Sequence, residues 1–176
     1  MAQTCEAKEK TGKAAIKAGY ATIADIARDR IKRLLNLDGF EGKQGFRAFA
    51  IAASHTLPWT GVADKTADAF GHQLEAFADT LAPGWKAEDV VWEVAIREGF
   101  SLTASIEKLA KPKGAFWRVT DPDKEQSFTI SLDDKLTLDT VRALNLGKDD
   151  LFVCRDTALD DTLAANLALQ CRLKVL

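Results

Sequence analysis

The chain has 176 residues, of which 47% are hydrophobic and 28% are charged, and its formal net charge is −2. This composition is typical of a globular protein with one sizeable core. No apolar run approaches the roughly 18 residues that a membrane span needs, so we expect no membrane partner. Three cysteines without CxxC spacing favour neither a disulfide framework nor a zinc site, and we expect a cytoplasmic protein.

Positive charge is concentrated near the N-terminus. Residues 1–36 carry eight Lys or Arg against four Asp or Glu, whereas the remainder of the chain is acidic. A nucleic-acid platform normally shows a larger basic excess. The charge distribution therefore argues against DNA binding by this chain alone.

The first predicted helix follows a short lead-in. Residues 1–18 are rich in Lys, Glu and Ala without an apolar stripe, and we expect them to be extended or frayed. Thr22 then provides the N-cap of a helix that ends at Asp38-Gly39, with Asp25 as an acidic variant of the capping box. The apolar positions of this helix recur at helical spacing and are Ile23, Ala27, Ile31 and Leu34, with Ile26 beside them.

The middle of the chain predicts one strand and two longer helices. Phe46 to Ala52 carries apolar residues on both faces, as in a largely buried strand. Asp64 to Leu81 predicts a helix whose apolar stripe consists of Phe70, Leu74, Phe77 and Leu81. Lys86 to Glu98 predicts a further helix, ended by Gly99. Its apolar arc covers more than half of the circumference, so this helix is either central in the domain or part of an interface.

The last third of the chain changes to a β-rich pattern. After a short helix around Ser105 to Ala110 and a turn at 112–114, residues 115–120 and 127–132 predict a hairpin. A short helix over 136–146 leads to a strand, helix and strand that form one βαβ unit at the C-terminal end. The predicted fold class is α/β, or mixed α+β. It combines a helical part over about 19–112 with a small mixed sheet over about 113–176, in a single domain over 19–176.

Candidate catalytic groups are few. His55 and His72 are scattered and have no Ser or Cys elbow beside them, so the sequence disfavours a catalytic triad. Asp156, Asp160 and Asp161 follow an apolar strand, where α/β proteins often place active sites. The same carboxylates suit a helix N-terminus, and we favour capping. The weaker alternative is a small metal-dependent hydrolase or nuclease that uses these three residues.

Three segments carry a family resemblance, in this order: Gly19 to Arg33 (GYATIADIARDRIKR), Val90 to Leu109 (VVWEVAIREGFSLTASIEKL) and Leu151 to Leu176 (LFVCRDTALDDTLAANLALQCRLKVL). Their sequences resemble the C-terminal region of the modification subunit of type III restriction-modification systems. These subunits are site-specific DNA methyltransferases that methylate adenine N6 with S-adenosylmethionine. The resemblance implies a non-catalytic C-terminal domain whose partners are the catalytic domain of the same protein, a second modification subunit and the restriction subunit.

The catalytic motifs of that family are not found in this sequence. Neither an Asp-Pro-Pro-Tyr type loop nor a Gly-rich turn after a strand occurs, and Asp121-Pro122-Asp123 predicts a hairpin turn. The resemblance therefore implies no catalytic, metal-binding or cofactor-binding residue in this chain. It implies that S-adenosylmethionine and DNA are bound only by the full-length enzyme. The alternative is a free-standing interaction or adaptor protein that derives from a truncated methyltransferase gene.

The sequence predicts two candidate contact surfaces for such a domain. A basic set contacts either phosphate or acidic groups of the catalytic domain, unless it is a solvated helix face paired with Asp25 and Asp29. An apolar set contacts the partner domains. The basic set is Arg28, Arg30, Lys32 and Arg33, and the apolar set is Phe70, Leu74, Phe77, Val91, Trp92 and Ile96.

Overall fold

The structure is a computed structural model that describes residues 10–37, 45–57, 66–76, 79–110 and 112–176. The chain divides into two compact units, unit 1 (residues 1–52) and unit 2 (residues 53–176). That residues 19–176 act as one domain stays a prediction. None of the helices in the described ranges has the length and the apolar character needed to cross a bilayer.

Unit 1 contains two helices, α1 (Lys10–Lys17) and α2 (Ile23–Leu35). The expectation of an extended lead-in is wrong for α1, which ends in a Schellman motif: Tyr20 N–H donates to Ala15 O, and Gly19 N–H donates to Ile16 O. Gly19 has a φ of 90° there. The predicted capping box of α2 is confirmed, since Thr22 and Asp25 bond reciprocally. α2 ends at Leu35, before the predicted stop at Asp38-Gly39, which lies outside the described residues.

Unit 2 is a mixed α/β structure. Its helices are α3 (Ala67–Ala76), α4 (Ala87–Arg97), α5 (Leu138–Arg142) and α6 (Asp161–Gln170), and its strands are β1 (Ser105–Lys108), β2 (Phe116–Asp121), β3 (Gln126–Ser131), β4 (Leu151–Cys154) and β5 (Arg172–Val175). The strands form one sheet in the order β1-β2-β3-β4-β5. β1, β2 and β3 are antiparallel, and β3, β4 and β5 are parallel. The predicted hairpin and the C-terminal βαβ unit are both confirmed.

Helices cover both faces of the central strands. On one face, Val90, Val91 and Val94 of α4 pack with a cluster that includes Ile130 of β3 and Val153 of β4. On the other face, α5 and α6 bury Val141, Leu163 and Leu167 against the sheet residues Phe116, Phe152 and Cys154. Unit 2 is therefore a three-layer arrangement with a core on each side of the sheet.

Two predicted elements are wrong. Ser105–Lys108 is a strand, not a helix, because Ile106 lies opposite Val119 and tertiary pairing overrides the local helix propensity. Phe46 to Ala52 is irregular and exposed, not a buried strand, since no other strand of unit 1 lies within the described residues to pair with it.

α3 is shorter than the predicted helix over Asp64 to Leu81. Leu81 does not continue it but forms an isolated antiparallel bridge with Thr56 and is buried. By contrast, α4 agrees with its predicted bounds. Gly99 ends α4 in a second Schellman motif, in which Phe100 N–H donates to Ala95 O.

Gly114 gives a test of the packing at the start of β2. Its φ is 140°, and an added Cβ would lie 2.2 Å from Asp133 Oδ2 and 2.7 Å from the Phe116 ring. We expect Gly114→Ala to lower the free energy of unfolding by about 2–3 kcal/mol, because a strained backbone is combined with a clash against buried groups. Gly84→Ala is the matched control, since its φ is also positive but nothing lies within 4 Å of the added Cβ. Equal denaturation midpoints for the two variants would contradict the clash.

Candidate interaction surfaces

The basic residues of α2 divide into two that are locally paired and two that are not. Arg28 pairs with Asp25, and Arg33 Nη2 lies 2.8 Å from Asp29 Oδ2. The interpretation as a solvated helix face with local Asp pairs is therefore confirmed for these two. Arg30 and Lys32 are exposed, and no carboxylate lies within 4 Å of either in the part of the chain that the structure describes.

The acidic partners on α2 are held in their charged form. The Thr22 hydroxyl and backbone N–H, followed by Arg28, hold the pKa of Asp25 below its usual value of 3.8. A hydrogen bond from the Tyr20 hydroxyl similarly lowers the pKa of Asp29, and the same bond raises the pKa of Tyr20. These contacts fix the polar side of α2 within unit 1.

The opposite side of α2 is an exposed aliphatic face, defined by Ile23, Ile26, Ile31 and Leu34. These four side chains remain 37–51% exposed, and α2 buries none of its residues. A turn of about 100° per residue places Arg30 between Ile23 and Ile26 around the helix. The aliphatic face therefore carries one cation among its aliphatic side chains, and it is a candidate contact surface.

The predicted apolar set does not form one surface. Val91 is fully buried in the core and Trp92 packs against that core, so both belong to the interior. Ile96 is exposed on the outer side of α4, and Phe70 and Leu74 are exposed on α3. Phe77 lies outside the described residues. The interpretation of α4 as a central helix is therefore correct for its buried face.

The acidic cluster after β4 has a structural role. Asp160 Oδ1 accepts a hydrogen bond of 2.7 Å from Leu163 N–H and caps α6. Asp161 lies in the first turn of α6, and Asp156 begins a short 3-10 helix. In the described ranges, no group of three or more His, Cys, Asp or Glu side chains is placed to hold a metal ion. The capping interpretation of Asp160 is confirmed.

Sequence reasoning missed the network around Glu93, here called the Glu93 clamp. Glu93 lies on α4 and accepts hydrogen bonds from the Ser54 hydroxyl at 2.5 Å, the His55 backbone N–H at 2.8 Å and the Thr56 hydroxyl at 3.1 Å. Arg97 Nη2 lies 2.7 Å from the same carboxylate and 2.6 Å from Thr56 Oγ1. The clamp fixes residues 54–56 against α4.

The charge state of Glu93 follows from this network. Burial opposes ionisation, but the hydrogen bonds from Ser54, His55 and Thr56 outweigh it and hold the pKa of Glu93 below its usual value of 4.5. The His55 ring lies beside the clamp, with Nε2 3.6 Å from Asp89 Oδ2 and Nδ1 3.8 Å from Glu93 Oε2. A carboxylate that stays ionised and fully bonded is suited to holding the chain and is poorly suited to accepting a proton.

Arg155 forms a second buried polar group, directly after β4. It pairs with Asp134, and its Nη2 lies 2.7 Å from Asp79 Oδ2. Its guanidinium carbon also lies 5.9 Å from the centre of the Trp85 ring. Arg155 therefore joins the segment before α4 to the loops that follow β3 and β4. Its partners are 76 and 21 residues away in the sequence, so no local pattern predicts this contact.

A cleft of about 500 Å³ lies next to the Glu93 clamp. One wall is the segment Ser54, Thr56 and Leu57, together with Thr80. The remaining lining residues come from α4 and from the end of the sheet, namely Val94, Arg97, Glu98, Lys174, Val175 and Leu176. Lys174 of β5 pairs with Glu98, the residue that follows α4. We call this feature the β5 cleft.

Comparisons with known proteins give no relative: no protein-family model matches the chain, and neither the curated proteins nor the solved structures contain a significant match.

The capping role of Asp160 can be separated from a metal-dependent activity. We expect Asp160→Ala to lower the free energy of unfolding by about 1 kcal/mol, because one N–H at the start of α6 loses its acceptor. Asp160→Asn keeps a capping oxygen and should retain nearly all of the wild-type stability. Thermal denaturation with and without divalent cations measures the stability of each variant and any stabilisation by the cation. A cation-dependent gain in melting temperature that Asp160→Asn abolishes would contradict the capping role.

The Glu93 clamp makes stability depend on pH in a defined direction. We expect Glu93→Gln to cost about 1–3 kcal/mol at pH 7, because donors at residues 54–56 lose an ionised acceptor. A lowered folded-state pKa gives stability that is present above the unfolded-state pKa and lost as pH falls through the folded-state value. The difference between wild type and Glu93→Gln should therefore shrink below about pH 4.

The control for this measurement is Glu88→Gln. Glu88 lies on the same helix and is exposed, and surface substitutions of this kind usually change stability by no more than about 0.5 kcal/mol. Urea denaturation of the three proteins across pH 3–8 provides the comparison. An equal loss for both variants, or a difference that does not vary with pH, would contradict the clamp.

Proposed function

We propose that this chain is the C-terminal, non-catalytic domain of a type III restriction-modification adenine methyltransferase and that it serves assembly. The observation that carries the proposal is the exposed aliphatic face of α2. This face lies within Gly19 to Arg33, one of the three segments that resemble the family. A surface with four exposed aliphatic side chains on one short helix requires a partner to cover it.

The three resembling segments coincide with complete structural elements. The first contains the capping box and most of α2; the second contains α4, its Schellman turn and β1; the third is the C-terminal βαβ unit. The agreement between segments and elements supports a comparison at the level of a domain. Between the first two of these segments, the stretch from Gly39 to Lys86 resembles the family more by arrangement than by residue.

The polar groups of unit 2 support an assembly role over a catalytic one. Asp121, in the string that comes nearest to an Asp-Pro-Pro-Tyr motif, accepts hydrogen bonds from Ser101 N–H at 2.7 Å and Asp123 N–H at 3.1 Å. These bonds, led by that from Ser101, hold the pKa of Asp121 below its usual value. Its carboxylate is thus used to hold the β2–β3 turn. In this proposal, S-adenosylmethionine and DNA are bound by the catalytic domain, and the chain alone transfers no methyl group.

Unit 1 supplies the surface for the catalytic domain. The aliphatic face would pack on that domain, and Arg30 within the face would pair with a carboxylate there. Unit 2 is available to the remaining partners of the family, which are a second modification subunit and the restriction subunit. A free-standing adaptor would use the same surfaces, so the two functions differ in whether a catalytic half accompanies the chain.

The first experiment is to sequence the source DNA upstream of the Met1 codon. An open frame with an Asp-Pro-Pro-Tyr type motif and a Gly-rich turn would supply the catalytic half for co-expression with this chain. We expect the two to copurify and to methylate adenine in DNA together. A stop codon or an unrelated gene at that place would contradict the methyltransferase proposal and leave the adaptor.

Variants of α2 test which surface makes the contact. We expect Ile31→Asp to abolish copurification and Arg30→Glu to weaken it by about tenfold, since a contact between a desolvated charge pair is worth about 1.5 kcal/mol or more. Lys32→Glu is the matched control, because Lys32 lies on the polar side of the same helix. Circular dichroism establishes that each variant is folded. A loss of binding with Lys32→Glu equal to that with Arg30→Glu would show that α2 acts through general charge and not through the aliphatic face.

A further inference from the structure

We propose that the β5 cleft binds an extended acidic peptide segment, which adds a strand to the free edge of β5. The proposal concerns unit 2 and is independent of the methyltransferase assignment. It depends on three observations: the direction of the backbone groups of β5, the position of the cleft, and the distribution of exposed charge around it.

β5 is the last strand of the sheet, and β4 is its neighbour on one side only among the described residues. Arg172 N–H donates to Asp150 O, and Leu176 N–H donates to Cys154 O, both at 2.9 Å. In a parallel ladder, alternate residues of a strand bond to the same neighbour. The backbone groups of Leu173 and Val175 therefore point away from β4, toward the free edge.

The β5 cleft lies at this free edge. The parallel register pairs Cys154 with Val175, and Cys154 belongs to the core under α5 and α6. The Val175 side chain thus lies on the α6 side of the sheet, yet Val175 lines a cleft whose other walls are α4 and residues 54–57. The cleft is therefore bounded by the end of the edge strand, beside which an added strand would lie about 4.8 Å from β5.

Charge at the cleft favours an acidic occupant. The side chains of Arg97 and Lys174 are each 52% exposed, whereas those of their partners Glu93 and Glu98 are only 18% and 17% exposed. The carboxylates are turned inward and the cations outward, so an approaching chain meets positive charge. Leu57, Val94 and Leu176 supply apolar contacts beside these cations. An extended segment that alternates acidic and aliphatic residues fits both features.

A second copy of the chain is a poorer occupant. Two registers of an antiparallel β5–β5 pair align most of the strand. In the first register, Lys174 lies opposite Lys174 of the second copy. In the second register, Lys174 lies opposite Arg172 of the second copy. Like charges directly opposite each other destabilise a strand pair, and charged residues on an edge strand are a common defence against self-pairing. The two cations of β5, Arg172 and Lys174, would attract an acidic strand.

The test uses a designed probe, an acetylated and amidated hexapeptide of alternating glutamate and valine. We expect it to bind the full chain saturably in isothermal titration calorimetry. The same peptide N-methylated on consecutive residues cannot pair through either edge, and a lysine-valine peptide has the opposite charge. We expect both to bind at least about tenfold more weakly than the probe. Equal binding of the N-methylated peptide, or no binding of the probe at millimolar concentration, would overturn the proposal.

The protein variants isolate the edge of β5. Val175→Pro removes an N–H that is not used for pairing with β4, so the fold should be retained, as proline is tolerated on edge strands. We expect this variant to bind the probe at least about tenfold more weakly than Val175→Ala, which keeps the backbone N–H and loses only side-chain atoms. Backbone amide shifts on titration at residues 173–176 and at the cleft residues Leu57 and Arg97 would support the assignment. A dimer in sedimentation equilibrium that Val175→Pro dissociates would overturn the acidic partner in favour of a second copy.

Discussion

Burial of β3 and β4 on both faces is the constraint on which the rest of unit 2 depends. Ile130 and Val153 face α4, while Phe152 and Cys154 face α5 and α6. Both cores are needed, because each face of these strands is apolar and must be covered. The connections from β3 to β4 and from β4 to β5 both cross the same face of the sheet. Each adds a parallel strand beside the previous one, so β5 becomes the edge strand. The location of the β5 cleft is a consequence of this topology.

Buried polar groups have a complementary task in unit 2, since they hold the irregular segments that the two cores do not fix. Glu93 holds residues 54–56, Asp121 holds the turn after β2, and Arg155 joins Asp79 to Asp134. Each of these charges is already engaged with donors or acceptors of the chain itself. Catalysis instead needs a group whose proton or lone pair is free for substrate. These three charged groups therefore serve to position the irregular segments of unit 2.

The sequence was informative wherever the signal was local. Thr22 and Gly99 mark helix ends by capping chemistry, and the hairpin and the βαβ unit follow from runs of apolar residues bounded by turns. β1 was missed because its partner β2 decides its conformation, not its own residues. The Glu93 clamp was missed because its hydrogen-bond partners lie 37–39 residues away in the sequence. At about 100° per residue, Glu93 lies between Asp89 and Arg97 on the polar side of α4, so the sequence pattern does not distinguish it from a solvated side chain.

The two exposed features differ in what would cover them, and this difference separates their partners. The aliphatic face of α2 offers side chains, so a rigid apolar surface such as a folded domain can bury it. The free edge of β5 offers backbone donors and acceptors, which only another extended chain can satisfy along its length. The two features lie in different units, so each surface can be tested by substitutions in its own unit. In the proposed assembly role, unit 1 would contact one folded neighbour and unit 2 would bind one extended segment.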